Sequence, residues 1–136
     1  MSKAIGIDFG LKRTGISVSD DLGIIATPLK TIASSDLMQF LKDLVLSENI
    51  EAIILGFPLG LNGADTDITP NVRLLKLALE KEFPQLKIVL FDERMTSKIA
   101  QKTLIQVASK KKRQQKGIID QMSATIILQD YLNSIS

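Results

Sequence analysis

Two hydrophobic periodicities divide this chain, and the switch between them limits its fold more than any other feature. Lys3 to Asp8 is a short apolar run, and Thr14 to Ser19 (TGISVS) alternates with period two, as half-buried strands do. Gly10 to Arg13 is a short turn between them, so a hairpin follows. Gly23 to Ile32 is β-rich again, with Pro28 suited to an edge strand or a strand end. Beyond it the period changes. Leu37, Phe40, Leu41, Leu44 and Val45 recur at helical spacing behind Ser34, Ser35 and Asp36, which predict an N-cap, and the helix ends near Asn49. Ala52 to Phe57 is a continuous apolar run of the kind found in strands buried on both faces. A polar loop starts at Leu59. Thr69 and Pro70 then read as N-cap and first residue of a second helix, which Pro84 closes. Lys87 to Phe91 is a fifth strand. A helix over about 96–109, a basic loop and a last helix over about 118–133 complete the chain.

The order βββαβαβα, with an extra helix at the end, predicts an α/β protein. Its mixed five-stranded sheet starts as a meander and carries helices on both faces. The 136 residues suit a single domain spanning 1–136. No apolar run approaches the roughly 20 residues of a membrane-spanning helix, and Met1-Ser2-Lys3 leads directly into a strand, so a cytoplasmic protein with no membrane partner is expected.

Composition removes whole classes of chemistry. With no Cys there is no disulfide, thiol nucleophile or cysteine zinc site. With no His there is no Ser-His-Asp triad and no HExxH motif. Catalysis by such a chain falls to carboxylates, lysines, hydroxyls and a hard metal ion. The net charge of +2 conceals an uneven distribution: between Arg94 and Ile119 there are basic residues and no acidic one. Such a segment attracts a polyanion, although a solvated helix face looks the same.

Asp8 interrupts the apolar AIGIDFG segment, and an unpaired buried carboxylate is costly. Asp92-Glu93-Arg94 closes the fifth strand, and Asp120 is near the start of the last helix. In α/β sheets function gathers beyond the carboxyl ends of strands. Carboxylates clustered there repel one another unless a cation lies among them, and all-oxygen ligands suit Mg²⁺ or Mn²⁺. The same spacing also fits a strand end in solvent and a helix cap. Gly10 to Gly15 has the glycine spacing of a P-loop, but Ile16 stands where its lysine is required and the segment joins two strands. Lys12 and Arg13 are turn cations near Asp8, suited to phosphate or simply exposed.

GIDFGLKRTGISVSD (6–20), GFPLGLNG (56–63), FDERMTS (91–97) and IIDQMSATIIL (118–128) together resemble, in order and spacing, the YqgF family. These are RNase H-like proteins related to Holliday junction resolvases and regarded as nucleases that mature the 5′ end of pre-16S ribosomal RNA. The resemblance covers essentially the whole chain. It implies an RNase H-like fold, a divalent-metal endonuclease acting in ribosome biogenesis, and Asp8, Glu93 and Asp120 as catalytic and Mg²⁺- or Mn²⁺-binding acids. Arg94 stands beside them. The chain departs from the family at Leu11, where Thr or Ser is usual, at Gly60-Leu61-Asn62-Gly63 and at Gln121, while the three acids are intact.

With that resemblance, Lys12, Arg13, Arg94, Lys110, Lys111, Lys112, Arg113 and Lys116 become candidate nucleic-acid contacts, reading backbone charge and no sequence. Five Phe, one Tyr and no Trp leave little for a base-stacking platform, which favours structured RNA or branched DNA over a single strand. Two alternatives remain beside the RNA nuclease. A Holliday junction resolvase would need a symmetric dimer to cut opposed strands, whereas the sequence is compatible with a monomer or weak homodimer. A non-catalytic RNA-binding assembly factor would need none of the acids. An actin-like ATPase shares the Asp-x-Gly of the first strand but needs a far longer chain.

Overall fold

The computed structural model describes residues 2–57, 68–92 and 116–135, with side chains in the last segment from 120 onward. Strands β1 (Lys3–Phe9), β2 (Arg13–Ser19) and β3 (Ala26–Ala33) form the antiparallel meander. A 3-10 turn (Ser34–Asp36) leads into helix α1 (Leu37–Ser47), followed by β4 (Ile50–Phe57), α2 (Thr69–Glu82), β5 (Lys87–Asp92) and α3 (Lys116–Ile135). The five strands lie in the order β3-β2-β1-β4-β5, with β1, β4 and β5 parallel. The expected RNase H-like, mixed five-stranded architecture is the one observed. The helix expected over 96–109 and the polar loop after Pro58 lie outside the described residues.

Alternation along the strands sends side chains to two separate cores. Ile5 and Ile7 of β1 and Ile53 and Leu55 of β4 pack with Leu37 and Leu41 of α1 and Val72 and Leu79 of α2. On the other face Ala4, Ala52 and Ile54 pack with Ile127, Leu128, Tyr131 and Leu132 of α3. Both faces of the sheet are therefore covered, which explains why β4 is apolar at nearly every position. Pro28 does fall on an edge strand. The β2–β3 register shifts there, Ile16 pairing with Lys30 and Ser17 with Pro28, so Leu29 is the extra residue of a bulge.

Three local expectations are corrected. The third strand begins at Ala26 and not at Gly23, because Asp20 Oδ1 accepts the backbone N–H groups of Ile24 (2.7 Å) and Ile25 (3.1 Å) and closes a turn instead. Gly23 occupies that turn at φ 70°, a conformation that L side chains rarely adopt. Ser34, Ser35 and Asp36 do not cap α1 through their side chains; they form the 3-10 turn, and Asp36 stands at the N-cap without a side-chain hydrogen bond. Thr69 is already inside α2, with Ile68 at the N-cap.

Candidate active site

The parallel strands end on one edge of the sheet, and β2 begins there. Asp8 lies near the end of β1, partly buried, with its Cα opposite Gly15 of β2. Residues two apart share a face, so Asp8 is on the side of Ala4 and Gly6, the side that α3 covers.

Small residues determine how closely that helix approaches. A Cβ at Gly6 would stand 2.7 Å from Leu128 Cβ and 2.9 Å from the Ala124 carbonyl oxygen. A Cβ at Gly15 would overlap the carbonyl of Asp120. Asp120, Ala124 and Leu128 are one helical turn apart along α3, so one stripe of the helix rests on this glycine-lined part of the sheet. Ser17 Oγ donates to the Ala124 carbonyl at 2.8 Å. At the other end of the helix, Gln129 accepts from the Ala26 N–H at 2.9 Å and donates to the Ile24 carbonyl at 2.9 Å. The register of α3 on the sheet is thus fixed at several points, and it places Asp120 over Gly15, next to the strand position of Asp8. Asp120 is the fifth residue of α3, inside the helix, so it is not a helix cap.

Arg13 opens β2, two residues before Gly15 and on the same face. Its Nε donates to Asp120 Oδ2 at 3.0 Å, with the side chains 43% and 23% exposed. The turn that carries Arg13 is held from the other side. Ser34 Oγ donates to the Gly10 carbonyl at 2.5 Å and shares a hydrogen bond of 2.8 Å with Thr14 Oγ1, while the Ser34 N–H donates to the Lys12 carbonyl at 2.9 Å. Gly10 is required in this turn because a Cβ there would stand 2.6 Å from the Arg13 carbonyl. Lys12 is exposed on the same turn.

Of the sequence-predicted acids, Asp8 lies beside Gly15 in the sheet and the Asp120 backbone rests over Gly15, both on the face that α3 covers. Glu93 lies outside the described residues, as do Arg94, Lys110, Lys111, Lys112 and Arg113. Lys116 is the first residue of α3, its side chain beyond description. Asp92 is on the face of Ile88 and Leu90, opposite to that of Asp8, so it does not join them. Among the described residues no three metal-ligating side chains come together. Asp8 and Asp120 nevertheless offer only oxygen donors, the set that Mg²⁺ and Mn²⁺ take, and one or two carboxylates are a usual protein share of a Mg²⁺ shell. Sequence reasoning missed Ser34 as a clamp and Gly15 as the seat of Asp120. The pairing of glycine and serine at alternate β2 positions 15, 17 and 19 was the available signal for a close-packed helix.

Residues 2–134 match the family described as RuvX: Holliday junction resolvase. The chain belongs to this family. A relative from Flavobacterium johnsoniae named "Putative pre-16S rRNA nuclease" is 44% identical over 98% of both chains. One of the same name from Bacteroides thetaiotaomicron is 43% identical, again over 98% of both. In the structure of T. thermophilus RuvC in complex with Holliday junction substrate, a chain superposes with a TM-score of 0.63 at 9% identity, covering 98% of this chain and 95% of that one. That likeness establishes the shared fold. The RuvX match accounts for the resemblance carried by the four motifs, and no described helix is long and apolar enough to cross a membrane.

Proposed function

We propose that this RuvX-family chain is a divalent-metal-dependent nuclease of structured RNA, with the 5′ end of pre-16S ribosomal RNA as its substrate. The observation that carries the reading is the placement of Asp8 beside Gly15 and of Asp120 over it, on one face at the carboxyl edge of the sheet, in a chain whose relatives bear nuclease names. Asp8, Asp120 and Glu93 would hold Mg²⁺ or Mn²⁺. Such an ion, when bound, supplies water activation and charge neutralisation at a phosphodiester.

The protein's own contribution is positional. The β1–β2 register fixes Asp8, and the close seat of α3 fixes Asp120. Lys12 and Arg13, on the clamped turn beside them, would receive backbone phosphate, together with Arg94 and the basic run Lys110, Lys111, Lys112, Arg113 and Lys116. Most of this is charge reading without base contacts, so affinity should fall steeply with salt. The expected setting is the cytoplasm, as a monomer or weak homodimer.

The family description supports a second reading, cleavage of branched DNA. Parallel assays on an RNA that spans the precursor 5′ boundary and on a four-way DNA junction, both with Mg²⁺ or Mn²⁺, separate the two. Cutting of the RNA with the junction left whole supports the proposed function. Paired nicks in the junction with intact RNA support the resolvase, and binding of either without cutting supports a non-catalytic assembly factor.

A further inference from the structure

We propose that Arg13 is a positioning residue that occupies Asp120 until a divalent cation displaces it, freeing its guanidinium to turn to substrate phosphate. This rests on the metal-nuclease reading above and adds a role for the Arg13–Asp120 contact within it.

The backbones on both sides of this contact are fixed. Ser34 holds the Gly10 and Lys12 carbonyls and the Thr14 hydroxyl, so the turn cannot carry Arg13 away. Gly15 and Ser17 hold the helix backbone at Asp120 and Ala124. What can move is the Arg13 side chain, 43% exposed and attached to Asp120 Oδ2 through Nε at 3.0 Å. A carboxylate so engaged is kept aimed and neutralised before any cation arrives. A cation that takes Asp120 must overcome the guanidinium, both as a competing hydrogen-bond donor and as a like charge. Once displaced, an arginine at this edge has a phosphate oxygen as its natural next partner, because its planar fork matches phosphate as well as carboxylate. Lys12 is also exposed on the turn, but among the described residues it is Arg13 and not Lys12 that pairs with Asp120, so the Lys12 charge should matter less to the cation.

The test is Mn²⁺ binding by calorimetry, without nucleic acid, to wild type, Arg13→Gln, Arg13→Lys and Lys12→Gln. A partly exposed ion pair contributes up to about 1 kcal/mol, so Arg13→Gln should bind Mn²⁺ about three- to fivefold more tightly than wild type. Arg13→Lys, which keeps the charge, should fall between the two, and Lys12→Gln should shift affinity by less than Arg13→Gln. Equal or weaker binding by Arg13→Gln overturns the proposal and leaves the metal site standing. An equal gain from Lys12→Gln overturns it too, since general charge then explains the effect. If none of the proteins binds Mn²⁺, the metal-nuclease reading itself falls, and this role of Arg13 with it.

Discussion

Asp8 and Gly15 face each other across β1 and β2, and the side chain that Gly15 lacks is the space in which the Asp120 carbonyl lies. One glycine therefore links a strand acid to a helix acid more than a hundred residues away. A Cβ at position 15 must push the start of α3 off the sheet. Gly15→Ala should lose about 1–3 kcal/mol of stability through overpacking. Urea unfolding measures this, and an unchanged midpoint would show that the helix is not seated as described.

Ser34 is the second device that shapes this edge. Ser34→Ala removes the hydrogen-bond partner of the buried Thr14 hydroxyl and the contact with the Gly10 carbonyl. A loss of about 1–3 kcal/mol is expected, the cost of stranding a buried polar group. The double change with Thr14→Val should recover part of it, because both partners are then apolar. Equal destabilisation by single and double variants would argue against the clamp.

Helix α3 depends on its apolar stripe as well. Leu128 is fully buried between the sheet and the helix. Leu128→Ala should cost about 2–5 kcal/mol, the range for deleting a buried leucine side chain. Thermal unfolding checks it, with Leu46→Ala, exposed on α1, as the near-neutral comparison.

Asp20 gives the fold a defined acid response. Hydrogen bonds from the Ile25 and Ile24 N–H groups hold its carboxyl below its ordinary value of 3.8. A group with a lowered folded pKa contributes stability above the unfolded value and loses it as pH falls through the folded one. The stability gap between wild type and Asp20→Asn should thus be constant near neutrality and close progressively below pH 3.8. Melting temperatures of both proteins across that range test it, and a gap that does not close would contradict the assignment.

The sheet was legible because its signals are local. Period two in residues 14–19, helical spacing from Leu37 and the apolar run ending at Phe57 each reflect contacts that recur within a few residues. Long-range partners decided the rest. Ser34 looked like a cap because serine before a helical pattern usually is one, yet its hydroxyl is claimed by Gly10 and Thr14 across the meander. β3 starts later than its sequence predicts because Ile24 and Ile25 have strand propensity, while the Asp20 carboxylate binds their N–H groups into a turn. Asp8 and Asp120 were legible as an unusual acid in a strand and an acid near a helix start. The glycine and serines at alternate β2 positions 15, 17 and 19 are a local trace of a close-packed helix. That Asp120 rests on Gly15 and meets Arg13, 107 residues away in sequence, depends on how α3 packs.

Asp8 and Asp120, as proposed above, would belong to a metal-dependent phosphodiesterase site. The most direct measurement is cleavage of an end-labelled RNA spanning the precursor 16S 5′ boundary by wild type, Asp8→Asn and Asp120→Asn, with Mg²⁺, with Mn²⁺ and with chelator. Wild type should cut only with metal, and each variant should lose at least about a hundredfold in rate, since metal charge stabilisation amounts to several kcal/mol. RNA binding by Asp8→Asn should persist. Intact RNA under every condition, or equal cutting by wild type and variants, would contradict the account.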